Sequence, residues 1–163
     1  MTEHRADRTS GVAGEGLDVV QGLEGVEGVE GVRGANLLVV EDFAAMSALL
    51  VRVLTGEGHR VTAVRTAPAV EAACALEDFD LIVTDVHIPG GNGIEVARKV
   101  AGVRPGTRVL FLSGDAEGDL DLRVPGGQTD FLQKPFDVDE LVERVRRLLG
   151  THPAQAEASS RAG

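Results

Sequence analysis

The run at residues 80–91, Asp-Leu-Ile-Val-Thr-Asp-Val-His-Ile-Pro-Gly-Gly, constrains this chain more than any other feature. A short apolar segment passes straight into a carboxylate and is then halted by proline and glycine. A continuous apolar run of this kind reads as a strand buried on both faces, as in parallel sheets sandwiched between helices. Asp85 falls at the carboxyl end of that strand, where open α/β sheets gather ligands and reactive groups. A working Asp85 there calls for a metal site, a cation and a hydroxyl on neighbouring strand ends.

The surrounding pattern is regular. Leu37-Leu38-Val39-Val40 is a second apolar run, ending in the adjacent carboxylates Glu41 and Asp42. Residues 43–55 carry Phe43, Met46, Leu49, Leu50, Val53 and Leu54 at helical spacing, and Gly56 and Gly58 stop them. Residues 59–65 alternate as a strand, and Thr66 can cap a helix over 67–77 whose Pro68 sits harmlessly in the first turn. Beyond the central run, the pattern predicts a helix over 94–100, a turn at Arg104-Pro105-Gly106 and a fourth strand over 108–112 ending at Ser113. Residues 115–124 are expected to form a short helix that contains Gly118 and is closed by Pro125-Gly126-Gly127. A fifth strand over 129–132 leads to Lys134-Pro135, and 138–149 is an amphipathic helix with Leu141, Val142, Val145, Leu148 and Leu149 on its apolar side. Five strand-helix pairs in alternation predict a right-handed, doubly wound α/β domain with a parallel sheet and helices on both faces.

That domain is expected to span residues 35–150. Residues 1–34 are rich in glycine and glutamate, with Gly-Val-Glu-like triplets over 25–33. Glycine at every third position, without proline and over so short a run, reads as a flexible acidic tail rather than collagen. Residues 151–163 are small and polar and are expected to be a disordered tail. With 163 residues, 43% apolar and 26% charged, the chain can bury one core of ordinary size. No stretch reaches the roughly 18 to 20 apolar residues of a membrane span, and residues 1–10 lack the apolar core of a secretory signal. The single Cys74 cannot close an internal disulfide. A cytoplasmic protein with no membrane partner is expected. A net charge of −10 argues against a nucleic-acid surface, so no DNA contact is expected either.

The alternation places Glu41 and Asp42 after strand one, Asp85 after strand three, Ser113 after strand four and Lys134 after strand five. Three carboxylates at one edge repel one another unless a hard cation sits among them, and Mg²⁺ accepts a few carboxylate oxygens while keeping its waters. Asp85 is then a candidate nucleophile for a phosphoryl group. The metal and Lys134 would neutralise the phosphoryl oxygens, and the Ser113 hydroxyl would hydrogen-bond one of them. Singly, each carboxylate fits a helix cap or solvated turn, Ser113 a loop serine and Lys134 a surface lysine. Their convergence carries the reading.

The acidic pair Glu41-Asp42, Asp85 within Thr-Asp-Val-His-Ile-Pro-Gly, Ser113, and Lys134-Pro135-Phe136 together resemble the receiver domain of two-component response regulators, over residues 36–150. The Gly-rich lead-in and the Phe-Leu-Gln-Lys-Pro-Phe ending look most like receivers at the C-terminus of hybrid sensor kinases. The resemblance implies a flavodoxin-like five-stranded sheet of order 2-1-3-4-5. It implies that Asp85 accepts a phosphoryl group from a histidine kinase or histidine phosphotransfer protein. Glu41, Asp42 and Asp85 would hold Mg²⁺ with the backbone carbonyl of His87, whose side chain would be a solvent-facing bystander. Phe131 falls at the family's aromatic switch position, and Lys134-Pro135 would be a cis peptide. Output through an unidentified protein partner, rather than catalysis on a separate substrate, is what a lone receiver implies.

Two other classes compete. A non-phosphorylated, receiver-like interaction module would take up no phosphoryl group. An aspartyl-nucleophile phosphatase of the haloacid dehalogenase type would want a second carboxylate two residues after Asp85, where His87 stands. Gly91-Asn92-Gly93 hints at a dinucleotide loop, but it follows the third strand and lacks a third glycine, and no Gly-Lys-Ser/Thr occurs.

Overall fold

The computed structural model describes residues 34–150 and the backbone of Val20 and Gln21; the rest of the expected tails, 1–33 and 151–163, lies outside the described residues. Five parallel strands, β1 (Asn36–Val40), β2 (Arg60–Val64), β3 (Leu81–Asp85), β4 (Arg108–Ser113) and β5 (Gln128–Gln133), form one open sheet in the order β2-β1-β3-β4-β5. Val20–Gln21 pairs antiparallel with the β2 edge, Val20 opposite Ala63 and Gln21 opposite Thr62. The helices are α1 (Ala44–Gly56), α2 (Ala67–Leu76), α3 (Gly93–Val103) and α4 (Val138–Leu149). This is the doubly wound, flavodoxin-like arrangement with order 2-1-3-4-5.

Strand periodicity divides the apolar runs between two cores. Leu37, Val39, Leu81, Val83, Leu110 and Leu112 pack with Leu50 and Leu54 of α1 and Leu141, Val145 and Leu148 of α4. The residues between them, Leu38, Val40, Ile82, Val109 and Phe111, pack on the opposite face with Val70 and Ala73 of α2 and Ile94, Ala97 and Val100 of α3. A run without alternation is what this two-sided burial requires.

Local signals set the helix ends. The Thr66 hydroxyl accepts the Ala69 N–H at 3.3 Å, and the Asn92 side chain accepts the Ile94 N–H at 2.8 Å. Gly150, at φ 73°, closes α4 in the left-handed conformation. Gly91-Asn92-Gly93 begins a helix: Asn92 is the cap, and a Cβ on Gly93 would lie 2.1 Å from the Asp85 carbonyl oxygen, so the second glycine answers to close packing against β3.

One expected element is absent. Residues 115–124 form a single 3₁₀ turn, Glu117–Asp119, instead of a helix. Leu120, Asp121, Leu122, Arg123 and Val124 alternate apolar with polar, a period that suits extended chain and not a helix. Val124 is buried, Leu120 and Leu122 pack against the α2–α3 core, and Arg98 of α3 holds the intervening carbonyls. The guanidinium donates to Arg123 O at 2.9 Å and Asp121 O at 2.8 Å. These bonds satisfy backbone acceptors that a helix would have satisfied internally.

Candidate functional site

The parallel sheet brings the residues expected at its carboxyl edge together. Glu41 follows β1, Asp85 ends β3, Ser113 ends β4 and Lys134 follows β5. The Lys134 backbone N–H donates to the Ser113 carbonyl at 2.7 Å, and the Val86 N–H to the Leu112 carbonyl at 3.0 Å, so the pairing that builds the sheet also registers the site. The Lys134-Pro135 peptide is cis.

The Lys134 ammonium lies between two carboxylates, 2.7 Å from Asp85 Oδ2 and 2.9 Å from Glu41 Oε2. Burial disfavours its charge, but the hydrogen bonds to Asp85 and Glu41 and the attraction of both carboxylates outweigh this, and its pKa stands above the ordinary lysine value. Glu41 is 1% exposed. Burial pushes its pKa up, against the lowering effect of Lys134 and of the Phe43 N–H, which donates to Oε1 at 3.1 Å. Glu41, Asp42 and Asp85 each offer an oxygen, and these lie within 4.8 Å of one another. An all-carboxylate donor set suits a hard cation, and the exposure of Asp42 lets such an ion keep several waters. These residues fit Mg²⁺.

Ser113 is fully buried, and its Oγ accepts the Asp115 N–H at 3.0 Å. That bond leaves the hydroxyl hydrogen available to another acceptor. The Phe131 ring is 6% exposed and lies in the core that also receives Leu120, Leu122 and Val124. His87 is exposed as expected, but it is not isolated. Its N–H donates to Asp85 Oδ1 at 3.0 Å, and its Nε2 lies 2.6 Å from Asp115 Oδ2.

Three participants escaped the sequence reading. Asp115 sits two residues beyond Ser113 in a segment read as helix. Thr84 donates through Oγ1 to the Asp85 carbonyl at 2.8 Å, and its spacing next to Asp85 was the available signal. Arg98 reaches the 114–127 segment from α3, a contact that no local pattern announces.

Residues 37–146 match the Response regulator receiver domain family. The chain belongs to that family. Among curated relatives, the chain is 40% identical over 129 residues to the transcriptional regulatory protein TcrA of Mycobacterium tuberculosis, covering 78% of this chain and 51% of TcrA. It is 34% identical over 119 residues to the uncharacterized transcriptional regulatory protein YbdJ of Bacillus subtilis, covering 72% of this chain and 52% of YbdJ. This chain thus spans about half the length of those relatives. Of solved structures, a putative response regulator from Chloroflexus aurantiacus superposes with a TM-score of 0.60 at 29% identity, covering 72% of this chain and 98% of that chain. Chemotaxis response regulator CheY4 of Vibrio cholerae shares the fold, with a TM-score of 0.62 at 22% identity, covering 71% and 99%. Among the described residues, no helix is long and apolar enough to cross a membrane.

Proposed function

We propose that this receiver takes a phosphoryl group onto Asp85 from the phosphohistidine of a histidine kinase or histidine phosphotransfer protein. The reading rests chiefly on Lys134 Nζ, which bonds Asp85 and Glu41 at once. An Asp85 carboxylate oxygen attacks phosphorus, the P–N bond to the donor imidazole breaks, its electron pair returns to the ring nitrogen, and an acyl phosphate remains. Lys134 exchanges its bond to Asp85 for one to a phosphoryl oxygen, and Ser113 donates its hydroxyl hydrogen to another. Glu41, Asp42 and Asp85, with the backbone carbonyl of His87, would hold Mg²⁺, which supplies positive charge against the phosphoryl oxygens.

The chain acts on this reading as a cytoplasmic phosphoryl acceptor and protein switch, not as an enzyme turning over a separate substrate. The movement of Ser113 is communicated to Phe131 and the 114–127 segment, and a protein partner that prefers one state supplies the differential binding. A net charge of −10 favours such a partner over DNA. Transcriptional regulation is what the names of TcrA and YbdJ state of those proteins.

Incubation with Mg²⁺ and acetyl phosphate should add the mass of one phosphoryl group, labile to base, and Asp85→Asn should abolish the gain. Undiminished uptake by that variant would exclude Asp85. No uptake by the unaltered chain would favour the interaction module. In Mg²⁺ titrations, Asp42→Ala should weaken affinity more than His87→Ala, because only the backbone of His87 is assigned to the ion; the reverse order would remove Asp42 from the ligand set.

A further inference from the structure

The two edges of the sheet are finished differently. At β5, the N–H groups of Gln128 and Lys134 donate inward, to the carbonyls of Thr107 and Ser113, so the alternation of a parallel ladder turns the N–H and C=O of Phe131 outward. Side chains meet both. The Phe131 N–H donates to Asp130 Oδ1 at 2.8 Å, and its carbonyl accepts from Arg144 of α4 at 3.3 Å.

At β2, the Arg60 N–H donates inward to the Ala35 carbonyl at 2.9 Å, and the Val64 carbonyl accepts inward from the Glu41 N–H at 3.1 Å. The same alternation turns the N–H and C=O of Val61 and Ala63 outward. This strand, Arg-Val-Thr-Ala-Val, has no proline, no bulge in its pairing with β1 and no charge beyond its first residue, devices that commonly protect an exposed edge. What meets it is backbone: Val20 lies opposite Ala63, and Gln21 opposite Thr62.

The sequence and the connection both favour that pairing. Within residues 11–34, Leu17-Asp18-Val19-Val20-Gln21 is the longest stretch free of glycine and the only one with adjacent β-branched residues. From Val20 to Gln21 the chain runs toward the start of β2, the end at which Asn36 of β1 pairs with Arg60. It is pinned again on entering β1. The Ala35 N–H donates to His59 Nδ1 at 3.1 Å, and a Cβ on Gly34 would lie 2.2 Å from the Gly58 carbonyl oxygen. Only residues 22–33 separate the two anchors. A strand tethered so closely competes at an effective concentration of about millimolar, enough to exclude a more dilute free strand without a strong bond.

We infer that the β2 edge is a strand-addition site, filled by the chain's own Val20–Gln21, and that this filling keeps a second copy from docking there. Bare β2 edges are self-complementary. About a two-fold axis at Thr62, Val61 of one copy faces Ala63 of the other, and each such pair exchanges two backbone hydrogen bonds. Displacing Val20–Gln21 therefore allows a dimer whose sheet runs through both copies. The guard lies at the sheet edge opposite β5 and operates whether or not Asp85 is phosphorylated.

The test uses the full chain with Val20→Pro, which deletes the N–H facing Ala63, and with Val26→Pro, which puts the same residue outside that pairing. Residue-resolved amide exchange is read on dilute protein, and sedimentation velocity over rising concentration. In Val20→Pro the Ala63 amide should exchange at least about fivefold faster, the Thr62 amide, which faces β1, should be unchanged, and a dimer should appear as concentration rises. Val26→Pro should match the unaltered chain in both measurements. Equal Ala63 exchange in Val20→Pro and the unaltered chain would overturn the filling of the edge. Faster Ala63 exchange with a monomer at every concentration would overturn the guard, and the same response in both proline variants would overturn its assignment to Val20–Gln21.

Discussion

Two connections leave the carboxyl edge of the sheet side by side and pack on the same face: residues 86–92, which enter α3, and residues 114–127, which enter β5. The first carries its own instructions. His87 and Ile88 pair with Asn92 and Gly91 in a short antiparallel ladder, the Gly93 N–H donates to the Val86 carbonyl at 2.8 Å, and Asn92 caps the helix. The second is held largely from outside. Its 3₁₀ turn is three residues long, its inward side chains sit in a core built by α2 and α3, and two of its carbonyls are held by Arg98. A segment held by borrowed contacts costs less to rearrange than one with an internal ladder and a capped helix. On the proposed reading, the groups that handle the phosphoryl group stand on the more tightly tied edge, and the segment next to Ser113 is the one that responds.

Glycine substitutions should separate the two most sharply. At Gly93 a methyl group would meet the Asp85 carbonyl oxygen at 2.1 Å, and Gly93→Ala should destabilise by about 3 kcal/mol or more in urea denaturation, with loss of phosphoryl uptake. At Gly118 nothing lies within 4 Å and φ is not positive, so Gly118→Ala should be neutral or stabilise by up to about 1 kcal/mol. Equal costs at the two sites would break the comparison.

Arg98→Ala should have an intermediate effect, about 1 kcal/mol, because the guanidinium is partly exposed and its carbonyl partners can turn to water. Amide exchange should accelerate over 119–124 and change little in α3. Acceleration in both regions would show that Arg98 supports α3 as a helix.

The smallest effect tests a group remote from both connections. Buried His59 accepts the Ala35 N–H through Nδ1 at 3.1 Å, so the folded chain needs this ring nitrogen unprotonated. Burial lowers its pKa below 6.5, with Glu57 and Asp80 opposing and Arg146 assisting. The unfolded chain then binds more protons, so stability is full above pH 6.5 and declines as pH falls from there towards the folded pKa. The slope is at most about 1.4 kcal/mol per pH unit for one proton. His59→Asn should flatten it; an unchanged slope in that variant would assign the loss to other groups.

Legibility in the sequence follows the same division. The strands at 37–40, 80–85 and 108–112 announce themselves as continuous apolar runs because both faces are covered, and parallel pairing then carries Glu41, Asp85, Ser113 and Lys134 to one edge. Helix α4 is equally plain from its apolar stripe. The helix expected over 115–124 does not form; Gly118 and a run of acidic residues obscure the alternation Leu120-Asp121-Leu122-Arg123-Val124, which has the period of extended chain. Asp115 could not be singled out, since its partner His87 lies 28 positions earlier. Arg98 is likewise an ordinary helix-surface residue until its two carbonyl partners are seen.

The most direct test of the account compares hydrogen exchange in the unaltered chain and Asp85→Asn, each with Mg²⁺ and acetyl phosphate. Phosphorylation of the unaltered chain should change exchange over 114–136 more than over 43–75, with α3 little affected, and Asp85→Asn should show neither change. Exchange over 114–136 that stays the same while Asp85 is demonstrably phosphorylated would contradict the switch and make the protein a shuttle or sink for phosphoryl groups.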